Sequence, residues 1–268
     1  MSIRRSCVAF AIALVAWHAS ASRAAGADDG LATIKSRGTI IVGVKADYPP
    51  FGFLDGDRNV GLEIDLLHDI ARELLGKPDA IQFVPVVAAN RFQYLNTGKV
   101  DFLFSTVTET EQRKTVVDFS APYMKSGWQV LVKRDNQTIH DVSDLANKTV
   151  VVVPGSIGES ALAKLVPTAT ELKLQETSEA LDAVASGRAD AFVQDSALLY
   201  GITSQKHEFK MIGSSHDDLP IAAACRKGDS AACDYIGKAI EKFRASGLLE
   251  REYRKWLGNE ADRFMPSN

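Results

Sequence analysis

Arg113 lies in the run from Asp101 to Tyr123, DFLFSTVTETEQRKTVVDFSAPY, where apolar stretches, hydroxyls and a guanidinium follow one another. Phe102 to Phe104 is apolar and aromatic, and reads as a buried strand. Ser105, Thr106 and Thr108 come directly after it, and Arg113 sits in the charged turn from Glu109 to Lys114. A planar guanidinium grips both oxygens of a carboxylate. Hydroxyls and free N–H groups at a strand end supply further donors. The chemistry that suits this set is anion capture. A surface loop with a solvated arginine has the same composition, so the run alone leaves both readings open.

A second group could meet the first. Pro154-Gly155-Ser156-Ile157-Gly158 joins an apolar strand, Thr149 to Val153, to a helix, Glu159 to Leu165. A strand, a Gly-containing turn and a helix N-terminus make an anion cradle. The spacing and the lysine of a nucleotide P-loop are missing, so a nucleotide is not expected. Ser156 and the adjacent N–H of Ile157 are the candidate donors. Asp195 follows the strand Ala189 to Val193 and precedes the helix Ser196 to Gln205, which suits an N-cap. Tyr48 belongs to the loop Lys45 to Phe53, with a Pro pair and two more rings, Phe51 and Phe53. Proline fixes such a loop and its rings can wall a pocket or fold onto the core. Tyr48 is expected to face a ligand and Phe51 to be partly core. Two cations remain: Lys45 at the end of the strand Thr39 to Val44, and Arg91 at the start of the helix Arg91 to Asn96. Lys45 can snorkel to the cleft mouth and pair with Asp47 or Asp55. Arg91 can equally be a helix-surface charge.

The elements that must position these residues alternate between strand and helix, which points to an α/β fold. Leu62 to Leu75 carries apolar residues at helical spacing, stopped by Gly76. Glu63 and Asp65 in its first turn suit the positive helix end, so no acid–base pair is read there. Tyr235 to Leu257 has helical spacing, with Leu248, Leu249, Tyr253 and Trp256 as docking residues. A chain of 268 residues holds one large domain or two modest ones. A net charge of −3 and no clustered basic face argue against a nucleic-acid partner. Arg4 and Arg5 before the apolar run Cys7 to Trp17 read as a signal peptide over residues 1–25, cleaved after Ala19-Ser20-Ala21 or near Ala24-Ala25-Gly26. Cys7 leaves with it. Cys225 and Cys233 remain, and an exported pair at that spacing favours a disulfide. The five histidines are scattered, so neither a metal nor another cofactor is expected. No Ser–His–Asp set suggests an enzyme.

FSTVTETEQRK followed by VDFSAPY resembles the signature of periplasmic solute-binding proteins for polar amino acids, solute-binding protein family 3. Further pieces occur in the same order: VGVKADYPPFGF, GLEIDLLHDIARELLG, ANRFQYLNTGKVDF, VVVPGSIGESAL, GRADAFVQDSALLYG and ASGLLEREYRKWLG. Together they span residues 31–258. The resemblance implies two lobes joined by two crossing strands, Trp128 to Val132 and Leu219 to Cys225. Lobe one would be residues 31–129 with 222–258, and lobe two residues 130–221.

The same resemblance assigns roles. Arg113 would hold the α-carboxylate of an amino acid, helped by Ser105, Thr106, Thr108 and the Ser156 turn. Asp195 would hold its α-ammonium, and Tyr48 would cover it. Glutamate- and aspartate-binding members carry a basic residue where Lys45 stands, while several binders of other polar amino acids carry Asp. Lys45 would then meet a side-chain carboxylate, with Arg91 beside it. Lysine in place of arginine departs from the nearest acidic-ligand pattern. The implied function is capture of glutamate, aspartate or another polar amino acid in the periplasm by a monomer that delivers it to ABC importer membrane subunits. Two other classes fit the scaffold: a cyclohexadienyl dehydratase acting on arogenate or prephenate, and a periplasmic sensor for a membrane receptor.

Overall fold

The computed structural model describes residues Gly30 to Pro266, so the signal-peptide reading and Cys7 lie outside the described residues. Two five-stranded sheets carry the two lobes. The first sheet runs Ile81–Pro85, Ile40–Val44, Phe102–Leu103, Ala224–Arg226, Val117–Phe119 in spatial order. Ile40–Val44 is parallel to both its neighbours, and Ala224–Arg226 is antiparallel to the strands beside it. The second sheet runs Thr170–Lys173, Thr149–Val152, Ala191–Asp195, Met124–Lys133, Phe209–Ile221. Helices cover such sheets on both faces, so their central strands read as unbroken apolar runs.

Leu62–Leu75 forms as its spacing predicts, and Leu62, Leu66, Leu67 and Ile70 are fully buried against the first sheet. Each such side chain contributes on the order of 2 kcal/mol by leaving water. The helical spacing of Tyr235 to Leu257 resolves into two helices, Ser230–Ala245 and Leu248–Leu257. The second docks on the first lobe: Tyr253 donates from its hydroxyl to the Tyr123 carbonyl at 2.7 Å, and the Trp256 ring meets Phe53 edge-on. Phe51 is entirely core rather than partly so, edge-on to Phe264. Cys225 and Cys233 form the expected disulfide, with 5.9 Å between their Cα atoms, tying the strand Ala224–Arg226 to the helix Ser230–Ala245.

The chain changes sheet twice. It passes from Val117–Phe119 to Met124–Lys133, and back from Phe209–Ile221 to Ala224–Arg226. The strand Met124–Lys133 pairs along its length within the second sheet, so the expected boundary at Gln129 falls inside it. Its partner Phe209–Ile221 has no alternating pattern over Gly213 to Asp218, and two register shifts interrupt the pairing there. Stacking of Trp128 on His216, 4.3 Å between centroids, holds the irregular stretch in place.

Candidate functional site

The C-terminal ends of the parallel strands face each other across a cleft, the usual ligand position in α/β lobes. The first wall is cationic. Arg113 sits in the one-turn helix Glu111–Lys114, capped by Thr110, whose hydroxyl accepts from the Arg113 N–H at 3.2 Å. Its guanidinium donates to the Thr108 carbonyl at 2.8 Å and, across the cleft, to the Gly155 carbonyl at 3.0 Å. Burial pushes its pKa down to about 10, with Asp195 opposing, so it stays charged. A solvated loop arginine is not what the chain has built.

Arg91 is 4% exposed, which removes the helix-surface alternative. It donates to the Ser105 carbonyl at 3.1 Å, while its Nε has no partner. Burial, and then the like charge of Arg113, push it down to about 9. Lys45 is equally buried, and its Nζ lies 3.5 Å from the Asp47 carboxylate. Burial lowers its pKa, and Asp47 offsets part of that. The other proposed partner, Asp55, pairs instead with Arg58 on the surface.

Ser105 does not line the cleft; it is fully buried behind the wall, where its carbonyl holds Arg91. Thr106 does line it, in a left-handed backbone conformation with φ 50° that is rare outside glycine. Glu63 fixes that conformation by accepting the Thr106 N–H at 2.7 Å, and it also accepts from the Tyr123 hydroxyl. Glu63 is therefore more than a first-turn helix charge. Burial pushes it up to about 7 against those two bonds.

The second wall is built on helix N-termini. Ser156 caps Ile157–Leu165, accepting the Glu159 N–H at 3.1 Å. Gly155 before it has φ 77°, and a Cβ there would stand 3.0 Å from the Ala88 carbonyl of the first wall, so the walls meet backbone to backbone. Asp195 caps Ser196–Gln205 by accepting from Ala197 N–H at 2.9 Å and Leu198 N–H at 3.4 Å. Ser126 donates to it at 2.9 Å. Burial pushes Asp195 up to about 6 despite these bonds. The cap role read from sequence is real and leaves the carboxylate facing the cleft.

Lys45, Tyr48, Arg91, Thr106, Thr108, Arg113, Ser156, Ile157 and Asp195 thus converge on one narrow space. Among the described residues no cluster of His, Cys, Asp and Glu could hold a metal ion.

The profile of bacterial extracellular solute-binding proteins, family 3, matches residues 40–259. The chain belongs to this family. It is 33% identical over 232 residues to the ABC transporter glutamine-binding protein of Bacillus subtilis, covering 85% of each chain. It is 28% identical to the glutamate/aspartate import solute-binding protein of Escherichia coli, over 97% of this chain and 90% of that one. The crystal structure of the cysteine-binding protein from Campylobacter jejuni superposes with a TM-score of 0.85 at 33% identity, over 90% of this chain and all of that one. Each of these relatives is named as a binding protein.

The walls of this solute-binding protein include residues that sequence reasoning passed over: Asp47, Gln175, Thr177 and Gln194. Asp47 was legible only as a partner for Lys45. Thr177 opens a helix with Thr-Ser-Glu, an N-terminal signature that says nothing about a cleft. Gln194 adjoins Asp195 at the end of the same strand.

Proposed function

We propose that this solute-binding protein captures an acidic amino acid, glutamate or aspartate, between its lobes and delivers it to the membrane subunits of an ABC importer. It works as a periplasmic monomer once its signal peptide is removed. Residues 31–129 with 222–258 form one lobe and residues 130–221 the other, with the boundary inside the strand Met124–Lys133 by which the chain enters the second sheet. Arg113 takes the α-carboxylate with Thr106, Thr108, the Ser156 turn and the N–H of Ile157. Asp195 takes the α-ammonium, and Tyr48 closes over it. Hinge closure around the zwitterion brings the half-sites together, so ligand selects the closed state.

The observation that carries the choice of ligand is the charge on the cleft walls. In the cleft lining Lys45, Arg91 and Arg113 stand with two carboxylates, Asp47 and Asp195, and behind the wall the buried Glu63, raised to about 7, acts on Lys45 and Arg91 as well. Glu63 is about half protonated at neutral pH and compensates only in part, and a zwitterion adds no net charge, so the walls keep an excess of desolvated positive charge that a second ligand carboxylate would offset. Arg91, with a buried Nε lacking a partner, is the cation in excess. A neutral polar ligand such as glutamine or cysteine is the second reading. It is favoured by the Lys45–Asp47 pair, which gives Lys45 a partner without ligand. Calorimetric titration of ligand-free, refolded protein with glutamate, aspartate, glutamine and cysteine decides between them. Glutamate or aspartate binds tightest on this account, and a tenfold preference for glutamine or cysteine overturns it.

A further inference from the structure

Asp47 stands between the lobes with two kinds of partner. One carboxylate oxygen lies 3.5 Å from Lys45 Nζ. The other accepts the Thr177 N–H at 3.0 Å and the Thr177 hydroxyl at 2.8 Å. Thr177 is the first residue of Thr177–Ala185, a helix of the second lobe, and the residue before it, Glu176, makes no capping bond with its side chain. The cap for this helix therefore comes from the opposite lobe, 130 residues away in sequence. An anion at a helix N-terminus is favourable, and a charge-assisted bond to a free N–H is among the stronger hydrogen bonds. Burial works against the charge of Asp47, but Lys45 and the Thr177 bonds outweigh it and hold its pKa below the usual value.

We propose that Asp47 is a specificity-determining residue: a built-in carboxylate that occupies Lys45, weighs against a second ligand carboxylate there, and fastens the second lobe through Thr177. This rests on the cleft being the amino-acid site. An acidic side chain approaching Lys45 meets an ammonium already shared with Asp47, and two carboxylates around one ammonium repel. A neutral side chain leaves the pair intact. Asp47 thereby tempers the preference of the cationic wall for acidic ligands. The Thr177 bonds lie on the other carboxylate oxygen and act on closure, which affects every ligand alike.

The two roles separate in a selectivity ratio. Wild type, Asp47→Asn and Thr177→Val are titrated with glutamate and glutamine by calorimetry, with circular dichroism to verify folding. Asparagine keeps an acceptor for Thr177 and removes the charge. Asp47→Asn is expected to raise the glutamate/glutamine affinity ratio about tenfold. Thr177→Val is expected to weaken both ligands about fivefold and leave the ratio unchanged. Asp47→Ser serves as a second charge-removing variant and must move the ratio in the same direction. An Asp47→Asn ratio within twofold of wild type overturns the proposal, as does a Thr177→Val ratio that shifts as far as that of Asp47→Asn. Should wild type bind only neutral amino acids, the acidic-ligand reading fails by itself, and Asp47→Asn still has to raise glutamate affinity for the proposal to stand.

Discussion

The two walls of the cleft differ in sign and in construction. The first presents long cationic side chains from strand ends and short helices: Lys45, Arg91 and Arg113. Their heads are drawn out of water, and their pKa values fall accordingly. The second presents Ser156 and Asp195, whose side chains already serve as caps for the helices behind them. It offers backbone N–H groups and one carboxylate. Charge on the first wall costs desolvation and gains from a ligand, whereas groups on the second wall are satisfied in advance. The cationic wall should therefore dominate affinity, and the capped wall should set orientation and pH dependence.

The largest expected effect tests that ranking. Arg113→Ala should weaken amino-acid binding by about 3 kcal/mol or more, because it strands a buried carboxylate. That is on the order of a hundredfold in Kd. The mutation also removes the Gly155 contact across the cleft. Ser156→Ala should cost about 1 kcal/mol of stability through the lost cap. Its effect on affinity should stay below tenfold, since the turn's N–H groups remain. Calorimetry on both variants reads the difference, and a larger affinity loss for Ser156→Ala would invert the roles of the walls.

A smaller effect sharpens the second wall. Asp195 has a pKa of about 6 without ligand, raised from its ordinary value by burial. Only the ionised form attracts an ammonium. As pH falls through 6, binding must first displace a proton, so affinity is present above that pH and lost below it. Between pH 7.5 and pH 5 the loss should approach tenfold. Titrations across that range check it, and Asp195→Asn should flatten the profile while binding more weakly at pH 7.5. A profile that is flat in wild type would remove Asp195 from the ammonium role.

Legibility in the sequence followed locality. The cap positions of Ser156 and Asp195 were readable because each follows an apolar strand at a turn, and the strand and helix around each depend on near neighbours. The disulfide was readable because both cysteines lie in one short segment. Glu63 was not. Its place in a helix's first turn had an adequate local explanation, while its true partners, Thr106 and Tyr123, lie 43 and 60 residues away. Asp47 was legible as a partner for Lys45, but its bonds to Thr177 were not, since a cap supplied from another lobe leaves no local trace. Ser105 was assigned a ligand role from its neighbours, but the turn at Thr106 puts it behind the wall. The strand Phe209–Ile221 carries Gly-Ser-Ser-His-Asp-Asp in its middle, and only pairing with Met124–Lys133 makes it a strand.

The central claim is that a cationic wall and a carboxylate wall are bridged by one ligand carrying both charges. Titration with glutamate and two truncated relatives addresses it directly. Glutarate lacks the α-ammonium, and 4-aminobutyrate lacks the α-carboxylate. Each should bind about a hundredfold more weakly than glutamate at pH 7.5, a loss of about 2.7 kcal/mol. The deficit of glutarate should narrow at pH 5, where Asp195 is mostly protonated and no longer needs an ammonium. Glutarate binding as tightly as glutamate at pH 7.5 would contradict the account.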